Sequence, residues 1–286
     1  MKDENDHYTI RRILVALDAS RHSWAALDAA VNLAVILEAK IEGLFVEDDN
    51  LIRLASLPFA CETRFPSFTS SRVDRSRMER ALKAQAEQAR QALSGACEEK
   101  HVHWSFQVRR GVVTQEVLAA AREADVIILG KTGRHLVREG RIGSTARAVT
   151  AQAPCCVLIL QRDLAIASPV TVVYDGSPVA QRALRVASRL AQRTNNYLSF
   201  IVVAETKKQE YQLQARTADW LRQQGLLIHY RRMEDRSAQA LLQMIYKERS
   251  GLLVVSDTLF SQSALQVVLD KITCPVLLVH EAPTPE

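Results

Sequence analysis

The chain is built from two copies of one pattern. Ile13-Leu14-Val15-Ala16-Leu17-Asp18-Ala19-Ser20 opens the first half, and Val170-Thr171-Val172-Val173-Tyr174-Asp175-Gly176-Ser177 opens the second. Each run leads into an amphipathic stretch in which an Ala-Leu pair, Ala26-Leu27 or Ala183-Leu184, stands at the same distance from its aspartate. A second apolar run follows in each half, Ile41 to Val46 and Leu198 to Val203. The ends match as well: Ala153-Pro154 precedes Cys155 to Leu160, and Cys274-Pro275 precedes Val276 to Val279. The copies are 157 residues apart at their aspartates and 121 apart at their closing prolines, so the first half is about 36 residues longer. Most of the excess falls between Glu47 and about Asp74.

Such a repeat confines the fold. Within each half, short β-branched runs alternate with helical stretches, five strands to four helices, which calls for parallel strands joined by right-handed crossovers. The runs are almost continuously apolar, as strands covered on both faces are. Ser20 and Ser177 stand where they can cap the helices that follow. The expected architecture is α/β, with two tandem doubly wound domains at residues 8–161 and 168–281 and a linker near residues 161–168. Ligands of such folds sit beyond the carboxyl ends of the strands.

Val126-Ile127-Ile128-Leu129 reads as a buried strand, and Gly130, Gly133 and Gly143 follow it. Two residues separate the first pair and nine separate Gly133 from Gly143, after which a helical stretch begins at Ser144. Glycine lets the backbone approach an anion closely, and the free N–H groups of a helix start supply donors, so a loop of this kind can bind phosphate. Ser144 or Thr145 adds a hydroxyl, and Lys131, Arg134, Arg138 and Arg141 load the loop with positive charge. The bland alternative is a tight strand-to-helix connection without a ligand. Two rival phosphate motifs are excluded. Gly130-Lys131-Thr132 looks like the tail of a Walker A loop, but Asp125 stands where that motif needs glycine. A G-x-G-x-x-G run after the first strand is absent.

The spacing G-x2-G-x9-G-[ST] resembles that of the universal stress protein family, and the likeness extends over nearly the whole chain as a bacterial, tandem type. The stretch from Leu44 to Phe59 also resembles the segment after strand two in such members. The resemblance implies two five-stranded parallel sheets of order 3-2-1-4-5, flanked by helices and paired through their last strands. That pairing can close within one chain, or two chains can pair into a homodimer; the homodimer is the expectation adopted. The resemblance further implies ATP as ligand. Asp18 would lie near the nucleoside, Ala16 would line the base, and Val46 would turn its backbone to adenine with Leu129 packed nearby. Gly130 and Gly133 would approach ribose and phosphates, and Gly143, Ser144 and Thr145 would complete the cradle with Arg134 beside it. Two plainer roles stay open: Asp18 as a helix cap and Val46 as core. Glu47, Asp48 and Asp49 can hold Mg2+ alongside ATP or open the next segment as a solvated turn, the preferred reading. His22 and His135 are taken as surface residues.

The second half keeps Asp175, Gly176 and Ser177 but has Ser256-Asp257-Thr258-Leu259 where the first two glycines stand. Counting from the prolines sets Ala264 against Gly143. Side chains would crowd the cradle and Asp257 would repel phosphate, so no ATP is expected there. This domain is read as the pairing partner of the first, or as the binder of a different ligand.

Hydrophobic residues at 48% and charged residues at 24% fit a soluble globular chain. The net charge of +5 is mild, pairs such as Arg109-Arg110 read as solvated strand ends, and no aromatic stacking motif accompanies them, which argues against nucleic acid. No apolar stretch has the length of a membrane span, and the polar start Met1-Lys2-Asp3-Glu4 does not read as a signal peptide. Five cysteines without C-x-x-C or zinc spacing suggest reduced thiols in a cytoplasmic protein, with a redox role for Cys61 or Cys97 as a minor alternative. No general base or activated nucleophile is identifiable, and the S-G-G-x-D-S loop of related synthetases is absent. The leading expectation is a stress-response protein whose first domain binds ATP and whose nucleotide state alters binding of an unidentified protein partner. Slow ATP hydrolysis with autophosphorylation, and an ATP-independent scaffold or a metabolite- or lipid-binding module, are the alternatives.

Overall fold

The computed structural model describes residues 10–18, 20–57, 61–64, 69–72, 74–131, 141–160 and 166–280. The first half runs β1 (Arg12–Leu17), α1 (Arg21–Leu37), β2 (Lys40–Asp48), α2 (Asp49–Ala55), a hairpin of β3 (Cys61–Arg64) and β4 (Thr69–Arg72), α3 (Arg75–Glu99), β5 (Trp104–Gly111), α4 (Val113–Ala121), β6 (Val126–Gly130), α5 (Ser144–Gln152) and β7 (Cys156–Leu160). The second runs β8 (Val170–Tyr174), α6 (Pro178–Gln192), β9 (Tyr197–Val203), α7 (Lys207–Gln223), β10 (Leu227–Met233), α8 (Ala238–Glu248), β11 (Leu252–Ser256), a 3-10 turn (Asp257–Leu259), α9 (Gln262–Lys271) and β12 (Val276–Val279). Most of the excess length of the first half is therefore α2 and the hairpin, together with a third helix of 25 residues against 17 in the second half, and the stretch between β6 and α5 adds a few residues more.

Ten strands form one sheet in the order β10-β9-β8-β11-β12-β7-β6-β1-β2-β5. Each half contributes five parallel strands in the order 3-2-1-4-5, as the family resemblance implies. The halves meet where β12 pairs antiparallel with β7, setting Leu277 against Leu158. Because the two strands run oppositely, the carboxyl edge of the first half-sheet lies beside the amino edge of the second.

Alternation along each strand divides the core into two layers. Ile13 and Val15 pack with Leu27 and Leu33 of α1 and Leu93 of α3, whereas Leu14 packs with Val117 of α4 and Val149 of α5. In the second half α6 and α7 cover one face, and α8 and α9 the other. The inner strands are sealed on both sides, which is why their sequences are apolar without alternation. Helix starts repeat as the strands do. Ser20 accepts a hydrogen bond from the Ser23 N–H, and Ser177 accepts one from that of Ala180, ahead of Pro178 at the first helical position.

Cys155 and Cys156 belong to opposite core layers, and Cys97, Cys155, Cys156 and Cys274 are buried free thiols. Burial pushes the thiol of Cys97 up to about 11, and those of Cys155 and Cys274 up to about 12. A thiol so far above neutrality carries almost no thiolate, so these three do not have the character of redox sensors. The side chain of Cys61 lies outside the described residues, as do residues 161–165 of the predicted linker. Among the described residues no helix is long and apolar enough to cross a membrane.

Candidate functional site

A cleft of about 340 Å³ opens at the carboxyl edge of the first half-sheet, within the size range of small-molecule sites. The strand order lays out its walls. The ends of β2 and β5 give one end, through Val46, Val112 and Val113; β1 gives the middle, through Ala16 and Asp18; β6 gives the other end, through Leu129 and Gly130, followed by Gly143, Ser144 and Thr145. Eight of the ten residues assigned to the nucleotide from the sequence thus line one cavity: Ala16, Asp18, Val46, Leu129, Gly130, Gly143, Ser144 and Thr145. Gly133 and Arg134 lie outside the described residues, as do His135, Arg138 and the side chain of His22.

Helix caps separate this cleft from the rest of the molecule. Of the nine α-helices among the described residues, seven have a side chain accepting from their first turn. The two that lack one are α4, which starts after Val112, and α5, which starts after Gly143, and both starts line the cleft. Their first-turn N–H groups and the positive ends of their dipoles are therefore directed to whatever occupies the space. Gly143 itself donates its N–H to the Lys131 carbonyl at 2.7 Å, closing the base of the glycine-bearing segment.

Asp18 does not cap α1; Ser20 does. The Oδ1 of Asp18 accepts the Ser20 N–H at 3.0 Å, which fixes the carboxylate at the end of β1. Among the described residues its Oδ2 has no protein partner and remains an acceptor for a ligand. The same turn recurs in the second half, where Ser177 donates to Asp175 Oδ1 at 3.0 Å.

Several features depart from the sequence reading. Lys131 does not simply add charge to the loop. Its side chain is buried, and Nζ donates at 2.8 Å to the carbonyl of Asp270 in the last turn of α9, a favourable place for a cation. Burial pushes its pKa down, and the nearby Asp270 carboxylate works against that shift. The acidic trio stands at the turn that opens the next segment, in line with its preferred reading. Asp48 caps α2 through the Asn50 N–H at 2.9 Å, and Asp49 pairs with Arg110 at 3.1 Å. No group of acidic, histidine or cysteine side chains fit for a metal occurs among the described residues. Sequence reasoning also missed Asn50 and Leu51 of α2 and Val112, Val113 and Thr114 at the start of α4, all of which line the cleft. The uncapped start of α4 was the available signal.

The corresponding space in the second half is filled. Strand register sets Val173 opposite Ala16, Val203 opposite Val46, and Ser256 opposite Gly130. The three first-half residues are half-buried, whereas their counterparts are 0%, 2% and 1% exposed. Leu259 and Phe260 pack into the core here, and Asp257 pairs with His280 at 2.9 Å. The helix start facing Gly143 in the repeat is Ser261, not Ala264, because α9 begins about a turn earlier than the proline count places it. Ser261 occupies its own helix's first turn by accepting from the Ala264 N–H at 3.3 Å.

Residues 9–161 match the profile described as the Universal stress protein family. A universal stress protein of Mycobacterium tuberculosis is 35% identical over 78 residues, a match covering 26% of each chain. The match thus spans about a quarter of that relative's length. One from Methanocaldococcus jannaschii is 25% identical over 160 residues, 55% of this chain and 86% of the relative. Among solved structures, a universal stress protein from Archaeoglobus fulgidus superposes with a TM-score of 0.73 at 18% identity, covering 94% of this chain and 96% of that one. A protein of unknown function from Pseudomonas aeruginosa superposes with a TM-score of 0.62 at 16% identity, covering 96% and 93%. At these identities the structural likeness speaks to the fold.

Proposed function

The chain belongs to the universal stress protein family, and from that premise and the layout of the cleft we propose that it binds ATP in its first half and acts as a nucleotide-dependent stress-response regulator. The observation that carries the reading is the start of α5, where a glycine replaces a capping side chain and the first turn opens on the cleft. The order of the walls matches the order of the ligand's parts. The apolar end at Val46, Val113 and Val117 suits a base, Asp18 at the centre suits a ribose hydroxyl, and Gly143 to Thr145 suit phosphates. Base and apolar wall associate by burial, the ribose donates to Asp18 Oδ2, and the α5 amides with the Ser144 hydroxyl donate to phosphate oxygens. Mg2+ in this reading comes with the phosphates rather than from a protein cage. Location in the cytoplasm, and a protein partner that senses the nucleotide state, complete the proposal.

Two substitutions test the assignment of ends. Asp18→Asn keeps the Oδ1 bond to Ser20 and exchanges the free acceptor for a donor. Adenosine and ATP should both weaken by roughly ten- to hundredfold, the worth of a charge-assisted hydrogen bond. Ser144→Ala should weaken ATP by about fivefold, the worth of a neutral one, and leave adenosine unchanged. Equal losses of both ligands in both variants, measured by calorimetry, would contradict this layout.

A further inference from the structure

Resting on that reading, we propose that Asp270 in the second half is a positioning residue of the nucleotide site in the first. It holds both ends of the glycine-bearing segment at once. Its carboxylate Oδ1 accepts the Ile142 N–H at 2.8 Å, and its main-chain carbonyl accepts Lys131 Nζ at 2.8 Å. Lys131 and Ile142 are the first and last residues between Gly130 and Gly143. The Lys131 N–H donates to the Leu160 carbonyl at 2.8 Å and its carbonyl accepts from Gly143, so the near end is tied to β7 and to the start of α5. The far end has Asp270 for its side-chain tether. Ile142 is 2% exposed, so its N–H would be costly to leave unpaired.

The topology explains why a second-half residue can do this. Antiparallel pairing of β7 with β12 brings the carboxyl end of α9 alongside the amino start of α5. The last-turn carbonyls of α9 then attract the Lys131 ammonium, which is turned toward the junction and away from a role as a simple phosphate counter-charge. The first-half cradle is thus completed by the second half, a use for a domain whose own cleft is filled. The phosphate end should depend on Asp270, and the base end should not.

The charge of Asp270 and its positioning act in opposite directions, which makes the proposal testable. A carboxylate near bound phosphates repels them, so loss of the charge alone would tighten ATP. Loss of the tether should loosen it. Asp270→Ala is expected to weaken ATP by about tenfold, the worth of one charge-assisted hydrogen bond, and to leave adenosine within about twofold. Asp270→Asn keeps an acceptor for the Ile142 N–H and should restore ATP binding to within about threefold of wild type. In the unliganded protein, amide hydrogen exchange at Ile142 and Gly143 should accelerate by about tenfold in Asp270→Ala and return in Asp270→Asn, with β12 amides unchanged. Tighter ATP binding by Asp270→Ala, equal weakening of adenosine, or unchanged exchange at Ile142 would overturn the proposal. A wild type that binds no nucleotide defeats the ATP reading instead. The exchange measurement then decides the tether, since acceleration at Ile142 supports it and no change overturns it.

Discussion

Gly143→Leu is expected to abolish ATP binding while the protein remains folded. The backbone at Gly143 has φ −64° and ψ 159°, which leucine adopts without strain, so the substitution does not break the turn. What it adds is a branched side chain at the wall of the cleft, where a phosphate must approach the first-turn amides. Losing two charge-assisted hydrogen bonds of about 1.5–3 kcal/mol each corresponds to more than a hundredfold in affinity. Adenosine, which the proposed layout seats toward β2 and β5, should lose much less. A thermal melt close to wild type, beside a flat calorimetric titration with ATP, is the expected pair of results. Wild-type affinity in this variant would mean that the glycine serves only the local turn.

The largest stability effect is expected at a different glycine. A Cβ on Gly251 would lie 2.3 Å from the carbonyl oxygen of Ala167 and 2.4 Å from its carbon, both main-chain atoms. This is where the segment entering the second half crosses the start of β11: the Gly251 N–H donates to the Pro169 carbonyl at 2.9 Å, and Ala167 donates to the Gly251 carbonyl at 3.4 Å. Neither backbone can give way without breaking these bonds. Gly251→Ala should cost about 2–4 kcal/mol, as overpacking does at rigid sites, and lower Tm by roughly 5–10 °C. Gly95 is the control, since a Cβ there meets nothing within 4 Å. As it lies inside α3, Gly95→Ala should be neutral or stabilising by up to about 1 kcal/mol. Equal melts for the two variants would contradict the close crossing at Ala167.

The repeat made the architecture legible. The Asp18-to-Ser20 and Asp175-to-Ser177 turns have the same hydrogen bonds because the same residue types stand at the same spacing after an apolar strand. The residues lining the cleft were found where the chemistry is local, as at Gly130, Gly143 and Ser144. They were missed where the signal is the lack of a residue type, as at the uncapped start of α4 after Val112. Asn50 and Leu51 were missed because α2 has no copy in the second half to compare it with. Lys131 was misread because its partner, Asp270, is 139 positions away and is reached only through the antiparallel junction. Ala264 was set against Gly143 because counting from prolines takes no account of where α9 begins.

Calorimetric titration of ATP into the full chain, freed of any co-purified nucleotide by unfolding and refolding, tests the central claim most directly. One ATP per chain is predicted, because the first half presents an uncapped, open cleft and the second half fills the corresponding space. Two per chain would contradict the asymmetry between the halves, and no binding at all would contradict the assignment of the cleft to a nucleotide.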